Sequence, residues 1–256
     1  MKIDLYSKIK DEIQLLPYFL RHYEAIADRI FVWDDGSTDG TLEMLKAHPK
    51  VTLLDLPVHG LEDTYASYHL FPIYKELSRG KADWVMQVDI DEFIYHPDIL
   101  ARLEEFKRDL FDIVTLVGYM MVAESFPQTD KQLWDVVTHG LRDRTMDKPV
   151  IFNPEIDIVF MGGRHRIASA AGPGGRPIVM RWKSKVKLLH YRYFGYEYFR
   201  ERTRRNCEEH FKSGSAWGRE VAWPFDENHP WRMPDGRTGT FPKYFADNLD
   251  KVEQVV

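Results

Sequence analysis

Cysteine is nearly missing from this sequence: Cys207 stands alone among 256 residues. An internal disulfide is therefore excluded, and so is a zinc site built on paired cysteines. A reducing, cytoplasmic setting is the expectation. Long apolar runs are missing as well, since no stretch reaches the roughly 18 uninterrupted apolar residues of a membrane-spanning helix. The opening "MKIDLYSKIKDE" has neither a long apolar core nor a small-residue cleavage site, and does not read as a signal peptide. Nor does charge of one sign dominate. The 35 Lys and Arg face 40 Asp and Glu, and a net charge of −5 argues against bulk binding to nucleic acid. Internal repeats and low-complexity segments are absent. What remains, 44% hydrophobic and 29% charged, is ordinary for a globular chain of one large or two small domains. Aromatics are plentiful: 7 Trp and 13 Tyr suit a carbohydrate-contacting surface as well as a core.

The first half alternates strand and helix signals. "KIDLYSKI", "RIFVW", "VTLLDL" and "DWVMQVDI" read as strands. Between them, "LLPYFLRHYEAIA" has apolar residues at helical spacing, with Pro17 tolerable in the first turn. "TLEMLKAH" is a short helix with Thr41 or Asp39 as its N-cap, and "DTYASYHLFPIYKELSRG" a helix disturbed near Pro72. Strands separated by helices predict a parallel sheet covered on both faces, with ligands beyond the strands' carboxyl ends. Two acid clusters fall there: Asp34–Asp35, and Asp89, Asp91 and Glu92. After the helix "DILARLEEFKR", strand-like runs with few helices between them predict a more antiparallel region. "YEYFRERTRRNCEEHF" then reads as a basic helix, and from Ser213 the chain turns Trp-, Pro- and Gly-rich.

"DDGSTDGTL" imitates a calcium loop, but its twelfth position is Lys46 and a strand precedes it, so that reading fails. A turn whose acids accept hydrogen bonds from a ligand fits better; the plainer alternative is a turn that caps the next helix. In "VDIDEF", three carboxylates this close repel one another unless a metal ion, basic side chains or water intervene. Asp89 and Asp91 would share a face of a regular strand, and at a strand end both can converge on Mg²⁺ or Mn²⁺.

"DDGSTDGT", followed some fifty residues later by "WVMQVDIDEF", resembles the GT-A, family-2-like glycosyltransferases, as does the segment from Lys10 to Tyr23. "KPVIFNPE", "GGRH" and "LLHYRYFGYEYFRERTRRN" are softer matches downstream. The resemblance implies a metal-dependent, inverting transfer of sugar from a nucleotide-sugar to an acceptor hydroxyl, in polysaccharide or glycoconjugate synthesis of the bacterial type. It implies Asp34, Asp35 and Asp89 at the nucleotide, with Lys10 and Glu12 beside them, and Asp89, Asp91 and His190 at the metal. Asp91 is the more direct ligand in that set. By itself, His190 at the end of an apolar strand reads as a core histidine.

Residues 181–206 hold nine Lys or Arg against two Glu, which suits a pyrophosphate, an acidic acceptor or an anionic membrane surface. Lys187 and Arg192 are the candidate diphosphate contacts. The acid that serves inverting relatives as base has no matching motif here; His165 in "GGRHRI" is the candidate, with Asp157 and Glu155 behind it. The expected architecture is a GT-A (Rossmann-like) domain over residues 1–212. Residues 1–95 form its nucleotide half and 96–212 its acceptor and metal half. An aromatic-rich extension (213–256) packs on it, its Trp217, Trp223 and Trp231 shaping the acceptor side. A carbohydrate or glycolipid acceptor follows, with peripheral contact at the inner membrane face and no nucleic-acid partner. Two rival readings are a non-catalytic nucleotide-sugar binding module and an Asp-nucleophile phosphatase; for the latter, Phe93 stands where a hydroxyl residue is usual.

Overall fold

The computed structural model describes residues 1–56, 59–60, 65–182, 184–212, 231–232, 238–239 and 251–256. The chain forms two compact units, one of residues 1–119 and 143–190, the other of 120–142 and 191–256.

The first unit begins with strand β1 (Ile3–Ile9), helix α1 (Leu16–Tyr23), strand β2 (Arg29–Asp34), helix α2 (Thr41–Ala47) and strand β3 (Val51–Leu53). β1 is buried along nearly its whole length because helices cover both faces of its sheet. Its one buried acid, Asp4, is matched by the guanidinium of Arg29, which donates to both carboxylate oxygens at 2.8 and 2.6 Å. Pro17 lies in the first turn of α1, where its missing N–H costs nothing. The cap of α2 differs from expectation. Gly40 occupies the N-cap at φ 97°, a conformation that favours glycine, while the Asp39 carboxylate accepts from the Thr41 amide at 3.0 Å. Around Pro72 the helix is indeed irregular: a π-helix (Ala66–Leu70) tightens through a 3₁₀ turn (Phe71–Ile73) into α3 (Tyr74–Leu77).

Next come strands β4 (Trp84–Gln87) and β5 (Glu92–Tyr95), helix α4 (Ile99–Arg108), strands β6 (Ile113–Val114) and β7 (Val117–Ala123), helix α5 (Leu133–Val136) and strand β8 (His139–Arg142). Strands β9 (Ile151–Phe152), β10 (Asp157–Phe160), β11 (Ile167–Ala171), β12 (Met180–Arg181) and β13 (Lys187–Phe194) lead to helix α6 (Gly195–Lys212). Short strands β14 (Trp231–Arg232), β15 (Thr238–Gly239) and β16 (Glu253–Gln254) end the chain.

The central sheet has the order β12-β6-β9-β4-β1-β2-β3. Its pairings are parallel except those of β9, which runs antiparallel to β4 and β6. The order β4-β1-β2-β3 makes the chain wind one way from β1 to β3 and then return to the other side of β1. The crevice at the carboxyl ends of β1 and β4 is thus a topological switch point, where open α/β sheets bind ligands. On one face the core packs Tyr6, Phe31, Trp33, Phe71, Tyr74 and Phe152. Antiparallel structure follows as expected, in β10 with β11 and in β13 with β5. In the second unit, Phe126 packs against Phe194 and Tyr198 at 5.0 and 4.9 Å, and β16 pairs with β8. No described helix is long and apolar enough to cross a membrane.

Candidate active site

β2 delivers the first acid loop. One oxygen of Asp34 accepts from the amides of Gly36 and Ser37, both at 3.1 Å, which builds the turn. Its other oxygen is buried with no hydrogen-bond partner among the described residues. Asp35 is buried too. Lys8, near the end of β1, donates to it at 2.8 Å, and the Gly60 amide and the His59 ring approach at 2.6 and 3.5 Å. The loop after β1, which carries Lys10 and Glu12, is laced to this one. The Glu12 amide donates to Thr41 Oγ1 at 2.9 Å, and the Asp11 carboxylate accepts from the Thr38 amide at 2.7 Å.

The second acid loop is a turn just beyond the end of β4. β4 stops at Gln87, the Glu92 amide donates to the Asp89 carbonyl at 3.0 Å, and β5 starts at Glu92. Asp89 and Asp91 therefore do not share a strand face, and they meet different partners. Asp89 pairs through one oxygen with Arg164 and through the other with Lys148 at 3.5 Å. Lys148 also reaches Glu92 at 2.5 Å, and the second Glu92 oxygen accepts from the Asp89 amide at 3.1 Å. Burial alone would raise the pKa of Asp89; the charges of Arg164 and Lys148 outweigh both burial and the repulsion of Asp91 and hold it below the usual carboxylate value. Burial likewise disfavours the Lys148 ammonium, but Glu92 and Asp89 prevail and its pKa lies above the lysine value. Asp91 instead meets His190 Nε2 at 2.8 Å, because β13 runs antiparallel to β5 and sets His190 opposite Glu92.

Among the described residues, no group of three or more His, Cys, Asp or Glu side chains is placed to hold a metal ion. The donor chemistry still suits one. Mg²⁺ and Mn²⁺ keep several waters and bind through one or two protein ligands plus substrate phosphates. The carboxylate–imidazole pair of Asp91 and His190 would be the residues to hold such an ion, whereas both Asp89 oxygens already face protein cations.

His165 lies beside Arg164 on the surface, and its Nδ1 donates to the Thr145 carbonyl at 2.6 Å. That bond fixes the tautomer and leaves Nε2 as an acceptor. Crowding around the ring, then the nearby Lys148 charge, lowers its pKa below the histidine value. Asp157 and Glu155 are not brought to this cluster. Asp157 is tied to Lys75 and Arg79 at 2.8 and 3.1 Å, and Glu155 accepts from the Gly80 amide, which precedes the opposite end of β4. Lys187 stands over the Tyr95 ring at 5.9 Å, three residues from His190 and so about 10 Å along the strand. Arg192, in the second unit, lies over Phe199 at 5.9 Å. Along α6, Arg200 and Arg204 pair with Glu197 and Glu201 one turn away, so part of the basic segment neutralises itself. Trp217 and Trp223 and the side chain of Trp231 lie outside the described residues.

Sequence reasoning gave no role to Lys8, Lys148 or Arg164. The available signal was the repulsion among Asp89, Asp91 and Glu92, which demands cations from somewhere; nothing local says which.

Residues 10–223 match the family model described as glycosyl transferase family 2. The chain belongs to that family. As a family 2 chain it has the GT-A arrangement of a mostly parallel sheet flanked by helices. A comparison with curated protein sequences finds no match. Among solved structures, S. aureus TarS 1–349 is similar at 15% identity and a TM-score of 0.42, over 82% of this chain and 66% of that one. The same TarS segment in complex with UDP-GlcNAc gives 15% identity and 0.43, over 82% and 67%. The family 2 chain spans 40% of the longer TarS chain.

Proposed function

We propose that this family 2 chain transfers a sugar from a nucleotide-sugar to an acceptor hydroxyl with the help of Mg²⁺ or Mn²⁺. The observation that carries this reading is the buried Asp91–His190 pair, 2.8 Å apart, at the switch point of the sheet. Asp35, braced by Lys8, accepts hydrogen bonds from the donor's nucleoside, and the buried unpartnered oxygen of Asp34 offers a second acceptor. Asp91 and His190 would hold the divalent ion, which supplies positive charge to the departing nucleoside diphosphate. His165 Nε2 takes the proton of the acceptor hydroxyl as its oxygen bonds to the anomeric carbon and the bond from that carbon to the diphosphate breaks. Attack from the face opposite the leaving group inverts the centre. A carbohydrate or glycolipid acceptor, in polysaccharide or glycoconjugate synthesis, fits this chemistry.

A thermal-shift screen of nucleotide-sugars with and without Mn²⁺ tests donor and ion together, since a ligand that binds only the native state raises its melting temperature. Stabilisation that needs both, and transfer that vanishes in a folded Asp91→Ala variant, is the expected outcome. Undiminished transfer by Asp91→Ala would refute the assignment. Phosphate release from simple phosphoesters with no donor present would favour the phosphatase reading, although Phe93 is buried among Phe19, His22 and Tyr23.

A further inference from the structure

The turn at residues 89–92 carries three carboxylates: Asp91 meets the His190 imidazole, and the other two face lysine and arginine. Lys148 Nζ lies 2.5 Å from Glu92 and 3.5 Å from Asp89, and Arg164 takes the remaining Asp89 oxygen. The remaining Glu92 oxygen accepts from the Asp89 amide at 3.1 Å. Lys148 is only 2% exposed, so its ammonium depends on these carboxylates rather than on water. Arg164 is equally enclosed, its guanidinium 4.6 Å from the Phe71 ring centre and its backbone at φ 57°, a conformation that non-glycine residues seldom adopt.

We propose that Lys148 is a positioning residue, a built-in counter-cation that withholds Glu92 and, together with Arg164, Asp89 from metal coordination and leaves Asp91 with His190 to present the ligands. This rests on the metal-dependent reading above. Without the lysine, three neighbouring carboxylates could chelate a divalent ion in several geometries and fill the positions that donor phosphates need. With it, the ion meets one carboxylate and one imidazole and keeps its other positions open. The ammonium performs this task permanently, because its departure would strand the Glu92 carboxylate, only 1% exposed, without a cation among the described residues.

The test is Mn²⁺ binding to the purified chain without donor, followed by titration calorimetry or by the paramagnetic resonance of free Mn²⁺. Lys148→Met should bind Mn²⁺ at least about tenfold more tightly than wild type, since a positive charge is removed, Glu92 is released and Asp89 keeps Arg164 as its one cation among the described residues. Donor turnover should fall in the same variant. Asp89→Asn should bind Mn²⁺ within about threefold of wild type, because Asp89 is not a ligand and its loss acts only through the screened field. A folded Lys148→Met that binds Mn²⁺ equally or more weakly overturns the proposal, as does a tenfold loss in Asp89→Asn. If Lys148→Met does not fold, Lys148→Gln removes the charge but keeps an amide donor for the Glu92 carboxylate, and carries the same expectation. A wild-type chain that binds no Mn²⁺ overturns the proposal as well. The expected Mn²⁺ pattern in a chain that turns over no nucleotide-sugar counts against sugar transfer alone.

Discussion

Acid should weaken this protein through one histidine on α1. His22 is 5% exposed, wedged between the rings of Tyr23 and Phe93 at 4.6 and 5.1 Å, with Nε2 donating to the Ile94 carbonyl at 3.0 Å. Burial pushes its pKa down from 6.5 to about 4, against a smaller opposing effect of that hydrogen bond. The unfolded chain therefore takes up a proton near pH 6.5 while the folded chain refuses it until about pH 4. The contribution of His22 is intact above pH 6.5 and is lost as the pH falls from there to 4. At 1.36 kcal/mol per pKa unit the full loss is about 3 kcal/mol, and about 2 kcal/mol is already gone at pH 5. Urea unfolding at pH 7 and pH 5 reads it directly, as a midpoint drop of roughly 1 M beyond that of His22→Gln, whose amide can still donate to Ile94. Equal drops in the two proteins would refute the reasoning. The consequence reaches the site, because Tyr23, the next residue, donates to the Glu92 carbonyl at 2.8 Å and accepts from the Ile94 amide at 3.1 Å. α1 thus clamps the strand that follows the acid turn, and loss of the clamp should reduce transfer at pH values where the donor itself is stable.

Two further outcomes concern His165. As a base it must be neutral, and its pKa lies below the ordinary histidine value, so the midpoint of the acid limb in kcat/KM should lie below pH 6.5. His165→Ala should lose about 10²–10⁴-fold in kcat and with it that acid limb, which a pH–rate profile resolves. Gly163→Ala places a side chain at φ 67° and a methyl 2.8 Å from the His165 ring. It should cost about 1–2 kcal/mol in urea unfolding and lower kcat by shifting the ring.

The alternation of strands and helices was legible because each has its own period of apolar residues. It placed Pro17 in a first turn, the disturbance at Pro72, and both acid loops at the carboxyl ends of strands. The shape of the second loop was not. Period-two reasoning puts Asp89 and Asp91 on one face, but the chain has already left the sheet at Gln87. The cap of α2 was misjudged for a similar reason: Asp39 does accept from the Thr41 amide, but from one residue outside the cap that Gly40 occupies. Asp157 shows the limit of reading chemistry from residue type. It is as acidic as Asp91 on paper, and its position beside Lys75 and Arg79 makes it a structural anion.

The sequence by itself determined where the acids stand along the chain, that they end buried strands, and that three of them are too close to be left without positive charge. Only the tertiary structure decided which cation answers which carboxylate. Lys148 lies 59 residues and Arg164 lies 75 residues from Asp89, and His190 lies 99 residues from Asp91. Local propensity cannot see across such intervals. Strand pairing and burial bring these groups together, and in a site with little water each buried charge must end beside its opposite.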